Sequence, residues 1–293
     1  MTREEALLLL NDQSAHVRLR AARHLRTQGR AEDLPALRGR RGQETVSFVR
    51  EALDAAIASA SKQAQPPGSS GETFEIPDDL RREIRAEAVR WIAGLLLHEL
   101  SSPIGLVELA AAQEVPDYPG SQTKARIDSA KRVFEAIELL KNAATGARRE
   151  AFDLGKLIEE VVFDEVQDRP VEVTIHGPKP MMTNADPKLL RLALANGLRN
   201  AFDATEVLEP EARKPVVVTW GATDINHWIS VIDVGVGLAH SPERAFEIGR
   251  TTKRRHSGFG LPIARQAMET LGGGASIQPA TGGGAQYELR WDS

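Results

Sequence analysis

The feature that most restricts the fold is a long helical pattern in the middle of the chain. Apolar side chains stand at Ile84, Val89, Ile92, Leu95, Leu96, Leu97, Leu100, Ile104 and Val107, with Asp78 or Asp79 available as the cap. At 3.6 residues per turn these positions cover more than one stripe, so the helix is apolar on two faces and must be covered on two sides. A break at Val115-Pro-Asp-Tyr-Pro-Gly120 follows. A second helix then places Ile127, Ala130, Phe134, Ile137 and Leu140 at spacings of three and four. One such hairpin cannot bury so wide a face, whereas two copies make a four-helix bundle. The expectation is a homodimer.

Composition narrows the remaining choices. With 41% hydrophobic and 27% charged residues the 293-residue chain has the balance of a folded protein, and aromatics at 5% leave the cores to aliphatics and alanine. No cysteine is present, which excludes a disulfide framework, thiolate metal sites and a cysteine nucleophile. The formal charge of −4 offers no strong field to nucleic acid. The longest uninterrupted apolar run of the central helix is Trp91 to Leu97, far below the ~18–20 residues that span a bilayer. The short run Ala6 to Leu10 is flanked by Glu4, Glu5, Asn11 and Asp12, which is wrong for a secretory leader. A cytoplasmic protein with no membrane or nucleic-acid partner is expected.

Residues 63–75, centred on Gln63-Ala-Gln-Pro-Pro-Gly-Ser-Ser-Gly-Glu72, have no apolar period and read as a linker. Before it, residues 1–62 carry an internal repeat: Asp12, Val17-Arg18 and Leu25 recur 32 positions later as Glu44, Val49-Arg50 and Ile57. An acidic residue followed by Val-Arg on the second helix of a pair resembles HEAT-type repeats, with a plain helical bundle as the alternative. Two hairpins are fewer than the ~3 that usually make a solenoid self-sufficient, so this segment leans on something else, and a protein ligand is the candidate.

The last segment, 149–293, alternates helix and strand. Leu154 to Val162, Pro187 to Ala204 and Pro262 to Leu271 read as helices. Val171 to Ile175, Val216 to Trp220, Trp228 to Asp233 and Gln286 to Trp291 read as strands. Such a mixture with antiparallel neighbours predicts a two-layer α/β sandwich.

The motifs lie in the last two segments. There is no P-loop. Gly258-Phe-Gly260 lacks the third glycine of a dinucleotide fingerprint, because position 263 is Ile263. His98-Glu99 opens like a zinc-protease motif, but Ser102 stands where its second histidine belongs. Four elements remain: His98-Glu-Leu-Ser-Ser-Pro-Ile-Gly105, Asn196-Gly-Leu-Arg-Asn200, Asp233-Val-Gly-Val-Gly237, and Thr251-Thr-Lys253 with Gly258-Phe-Gly260. In this order they resemble the H, N, G1 and G2 boxes of sensor histidine kinases, with Phe246 where the F box belongs; the resemblance covers roughly residues 76–293. It implies a dimerisation and histidine-phosphotransfer domain at 76–148. It also implies a catalytic domain at 149–293, of the ATPase type shared by gyrase, HSP90, histidine kinases and MutL (GHKL). The whole chain is then multidomain, α and α/β.

Each box has its own chemistry. A neutral imidazole is available as a nucleophile near neutral pH, and the neighbouring carboxylate of Glu99 can take its proton. Pro103 removes a backbone hydrogen bond just beyond. By resemblance His98 is the phosphorylated residue and Glu99 its base. Asn196 and Asn200, four apart, share a helix face. Magnesium prefers hard oxygen ligands, and the resemblance makes Asn200 the Mg²⁺ ligand and Asn196 a wall of the ATP pocket. It gives Asp233 to the adenine amine. Gly235 and Gly237 permit a flap, and the segment from Leu238 to Ser257, with Thr252, Lys253 and the neighbouring arginines, has the length of a lid over phosphates. Gly258 and Gly260 offer backbone amides at the start of a helix.

Some positions depart from the family. Asp203 stands where many such kinases have a basic residue, leaving Lys253 as the candidate to supply that charge. Gly284-Ala-Gln286 lacks a usual hydroxyl, and Ser102 replaces the Thr or Asn that positions water for phosphatase action. The expected function is MgATP-dependent autophosphorylation of His98 and transfer to an aspartate of a separate response-regulator receiver domain, controlled by the repeat segment. The alternatives are a non-kinase ATPase of the same nucleotide fold and a dimeric ATP-binding scaffold with a degenerate core.

Overall fold

In the computed structural model the described residues are 1–44, 46–63, 78–167, 169–238, 241–242, 244–249 and 258–292. They fall into two compact units, Met1–Glu75 and Ile76–Ser293.

The first unit is two helical hairpins: α1 (Arg3–Leu9) with α2 (Ala15–Gln28), and α3 (Leu34–Gln43) with α4 (Ser47–Gln63). The 32-residue repeat is visible in three dimensions. Asp12 Oδ1 accepts the Ser14 N–H at 2.8 Å, as Glu44 Oε1 accepts the Val46 N–H at 3.0 Å. Arg18 reaches back to the Asp12 carbonyl at 2.9 Å, and Arg50 to the Glu44 carbonyl at 2.8 Å. The hairpins are clamped by a buried pair in which Arg18 Nε and Nη2 bond both oxygens of Glu44, at 2.8 and 2.9 Å. Burial pushes the Glu44 carboxyl up, but Arg18, the Val46 N–H and Arg40 outweigh it and hold the group at about 2. Leu19, Leu25, Leu37, Val49 and Leu53 fill the interior.

The second unit begins with α5 (Asp78–Glu114) and α6 (Gln122–Ala143), joined through a turn in which Asp117 takes a left-handed conformation and Tyr118 is buried. Pro103 lies inside α5, so the Glu99 carbonyl lacks its helical donor. The apolar face of α5 is uncovered: Trp91 is 69% exposed, and Ile84, Ile92, Leu95, Leu100 and Leu106 are exposed with it. By length and mean hydropathy, the stretch Leu80–Glu114 is also long and apolar enough to cross a membrane. The run-length argument missed this, because Ser, Gly, Pro and His interrupt the apolar runs of α5 without adding charge.

The α/β part follows as β1 (Glu150–Asp153), α7 (Leu154–Val166), β2 (Val173–His176), β3 (Met182–Ala185), α8 (Pro187–Glu206), β4 (Val216–Ala222), β5 (Asn226–Ile232), α9 (Gly260–Thr270), β6 (Gly274–Pro279) and β7 (Ala285–Asp292). Five strands form a sheet of order β2-β4-β5-β7-β6, with β2 and β4 parallel and the rest antiparallel; β1 and β3 form a separate pair. Alternate residues of β7, namely Ala285, Tyr287, Leu289 and Trp291, are buried with Leu190, Leu194 and Leu198 of α8 and Ile263 and Met268 of α9, as a half-buried strand requires. This is the two-layer sandwich. Ala136 and Ala143 of α6 enter the same core, which is why the hairpin and the α/β part, separable by sequence pattern, form one unit.

Candidate nucleotide site

The site is built on α8. Asp186 caps it, accepting the Lys188 and Leu189 N–H groups at 2.9 and 3.2 Å, and Pro187 opens the first turn. Gly197 lets the ring of Tyr287 approach: a β-carbon there would fall 2.3 Å from the ring, whose hydroxyl donates to the Ala193 carbonyl. The helix is thereby fixed against β7, with Asn196 and Asn200 on the same face one turn apart.

Asn196 is 8% exposed and donates its amide N–H to the Leu192 carbonyl at 2.8 Å. Its Oδ1 lies beneath Gly260, where an added β-carbon would stand 2.9 Å away. The second and fourth motifs are thus in contact. Asn200 is half-buried, and its amide makes no hydrogen bond among the described residues. Asp233 follows the end of β5, is 5% exposed, and accepts the Gly235 N–H at 2.9 Å. Gly235 presses on the end of α8, since a β-carbon there would sit 2.4 Å from the Ala204 carbonyl. The Val236 N–H bonds that same carbonyl at 3.2 Å. Gly237 has φ +74° and Gly258 φ +73°, conformations that side chains resist. The Gly249 N–H donates to the Gly258 carbonyl at 3.2 Å. Thr252 and Lys253 lie outside the described residues, as does all of 250–257.

Gly260 is the first residue of α9, two residues before the expected start at Pro262. Its N–H and that of Leu261 have no intrahelical acceptor, and Pro262 has no N–H to satisfy. Phe246 is buried under α9, with the Arg265 guanidinium 4.4 Å from its ring.

These residues fit a magnesium nucleotide. Asn200 offers one hard oxygen, and among the described residues no group of three or more His, Cys, Asp or Glu could hold a metal by itself. A magnesium ion here would be held mainly through phosphates and water, as is usual for that ion.

His98 and Glu99 are exposed on α5, with Ser102 one turn on. No hydrogen bond or ion pair among the described residues links them to the nucleotide site. The hairpin instead meets the α/β part near its base: Arg85 lies 3.6 Å from Glu269, and the Thr270 hydroxyl donates to the Ala143 carbonyl at 2.7 Å. His98 stands 13 residues beyond Arg85, about 20 Å along the helix.

Several features have no local signal in the sequence. Arg169, from the loop after α7, bonds both Asp203 and Glu206 at 3.0 Å and lies 5.6 Å from the Phe202 ring. A positive charge therefore does stand beside Asp203, from 34 residues upstream. Gln286, in place of a hydroxyl residue, joins a network with Gln278 and Ser230 at 3.1 and 3.0 Å. The pair β1–β3 and strand β6 were not expected either.

Residues 185–293 match the model of the histidine kinase-, DNA gyrase B-, and HSP90-like ATPase family. The chain is 26% identical over 277 residues to the nitrogen regulation protein NtrY of Azorhizobium caulinodans, covering 88% of this chain and 36% of that protein. It is also 26% identical over 232 residues to the sensor protein FixL of Bradyrhizobium diazoefficiens, covering 73% and 46%. The chain spans less than half the length of these relatives. Among solved structures, full-length ShkA in complex with AMPPNP shares the fold, with a TM-score of 0.52 and 22% identity over 68% of this chain and 44% of that one. Over residues 185–293 the chain thus resembles the histidine kinase-, DNA gyrase B-, and HSP90-like ATPases, and over a longer stretch it is similar to sensor proteins.

Proposed function

We propose that this chain is a protein histidine kinase that phosphorylates itself on His98 and passes the phosphoryl group to an aspartate of a separate response-regulator receiver domain. The observation that carries the reading is the convergence at the end of α8, where Asn196 meets Gly260 and the loop Asp233–Gly237 packs on Ala204. This happens in a chain that also presents His98-Glu99 on an exposed helix.

In this reading Asp233 accepts a hydrogen bond from the adenine amine, and the first-turn amides of α9 face the phosphates. Magnesium, held by Asn200, would supply charge neutralisation as the phosphoryl group moves. A ring nitrogen of His98 forms a bond to the γ-phosphorus as the bond to the bridging oxygen breaks. ADP leaves, and Glu99 accepts the proton of the imidazole. Because the α/β part meets the base of the hairpin through the end of α9, at Glu269 and Thr270, and no bond among the described residues links the nucleotide residues to His98, transfer requires the α/β part to leave that contact, or to serve the histidine of a second protomer. The uncovered face of α5 supports a homodimeric four-helix bundle, and exposed Glu87 and Glu99 along it weigh against a membrane span. A cytoplasmic location and an input role for residues 1–62 complete the proposal.

Incubation with γ-labelled ATP and Mg²⁺ tests it. The wild type is expected to acquire an acid-labile protein label, and His98→Ala and Asn200→Ala to lose it while keeping the wild-type melting profile. Phosphate release without protein label would favour a non-kinase ATPase.

A further inference from the structure

The first helical hairpin has an open groove of about 310 Å³ between α1 and α2, lined by Met1, Glu5, Leu8, Leu9, Val17 and Arg20. Leu8 is 78% exposed. The repeat says what such a groove receives. Thirty-two residues on, Val17 corresponds to Val49 and Glu5 to Leu37, both fully buried, and α2 is the helix that packs on α4. The acidic residue of the second hairpin, Glu44, takes the guanidinium of Arg18 from that covering helix in a two-bond pair. In the first hairpin the acidic position is Asp12, whose carboxylate is oriented by the Ser14 N–H just as Glu44 is oriented by the Val46 N–H.

The opposite edge of the array is closed. Where the first hairpin has the fully buried Ala22, the second has the exposed Asp54. Arg41 and Asp54 form an ion pair with bonds of 2.9 and 3.2 Å on the surface of α3 and α4. A polar outer face is how a repeat array ends, and an apolar one continues it. This asymmetry disfavours head-to-tail stacking of identical copies, since the edge that a second copy would bring is the charged one.

We infer that the groove between α1 and α2 docks an amphipathic helix of a partner protein, one that places an arginine on Asp12 as Arg18 is placed on Glu44. The inference continues the interface already present between the two hairpins, and charge complementarity at Asp12 fixes the chemistry of the occupant. It rests on the reading of residues 1–62 as an input module and makes no use of the kinase reaction.

The test uses the full chain preceded by an additional copy of residues 1–32, which supplies in cis a helix carrying Arg18. Hydrogen exchange is followed in the original α1 and α2. Docking is expected to slow exchange there at least tenfold. Leu8→Glu in the original copy, a change at an exposed position, is expected to abolish the slowing, and Arg18→Met in the added copy to reduce it severalfold. Exchange unchanged by the added hairpin, or slowed equally in the Leu8→Glu chain, would overturn the inference. In the unextended chain, protection of α1 and α2 that grows with protein concentration would mean a second copy fills the groove, which overturns the assigned occupant. Because the readout is exchange and not phosphorylation, a failed kinase assay leaves the result interpretable.

Discussion

Single residues decide both the stability of the repeat unit and the shape of the nucleotide site. Glu44 is the acid on which three arginines converge: Arg18 and Arg40 on its carboxylate, Arg50 on its carbonyl. Removing its charge leaves Arg18 buried and unpaired, so Glu44→Gln is expected to destabilise the first unit by about 3 kcal/mol in chemical denaturation. Because its pKa is held at about 2 against an ordinary 4.5, the stabilisation is complete above pH 4.5 and is lost as pH falls toward 2. The wild-type unit should therefore melt progressively earlier across that window, and the Glu44→Gln unit should lack this dependence. His227 behaves in the opposite sense. Burial lowers its pKa, partly offset by a bond to the Met182 backbone, and its ring stacks on Trp291 at 5.6 Å. It is neutral in the folded state, so the contribution of the group is present above the ordinary value of 6.5 and declines as pH falls below it. His227→Phe is expected to flatten the stability of the second unit between pH 7 and 5. Gly260→Ala puts a β-carbon 2.9 Å from Asn196 Oδ1. A loss of at least tenfold in ATP-analogue affinity, measured by calorimetry with little change in melting temperature, is the expected result.

At the scale of elements, the helices that bear site residues were legible because their signals are local. The pattern from Pro187 to Ala204 announces α8, and the period of apolar residues announces α7 and α9. Asn196 and Asn200 could be assigned to one face from spacing alone. Strands β1, β3 and β6 escaped because four to six residues with mixed polarity make no recognisable alternation, and a strand such as Glu150–Asp153 exists only through its partner Met182–Ala185. Arg169 escaped for the same reason: its carboxylate partners are 34 and 37 residues away. The exposed face of α5 belongs to this scale as well. Trp91 and Leu95, one turn apart, are both exposed, and replacing both by Glu is expected to convert a dimer into a monomer in light scattering. If the wild type is already monomeric in detergent-free buffer, the bundle is excluded and the membrane-spanning length of α5 becomes the better account.

The molecule as a whole separates what it brings together from what it keeps apart. Three of the four motifs meet around the end of α8, although they are scattered over residues 196 to 260. The first in order, His98-Glu99, stands on a different layer, about 20 Å up the hairpin from the contact with α9. Sequence could show that all four motifs are present and in order, but not their separation, because the docking of α9 on the hairpin is made by small residues such as Ala136 and Ala143 that carry no motif. Such an arrangement is productive only if the ATP site delivers phosphate to that histidine. The direct measurement is site mapping by tandem mass spectrometry at alkaline pH after incubation with MgATP. A single phosphoryl group on the imidazole of His98, absent when Asn200 is replaced by Ala, is the expected result. Phosphate on Ser101 or Ser102, or ATP consumed with no phosphoryl group on the protein, would contradict the account.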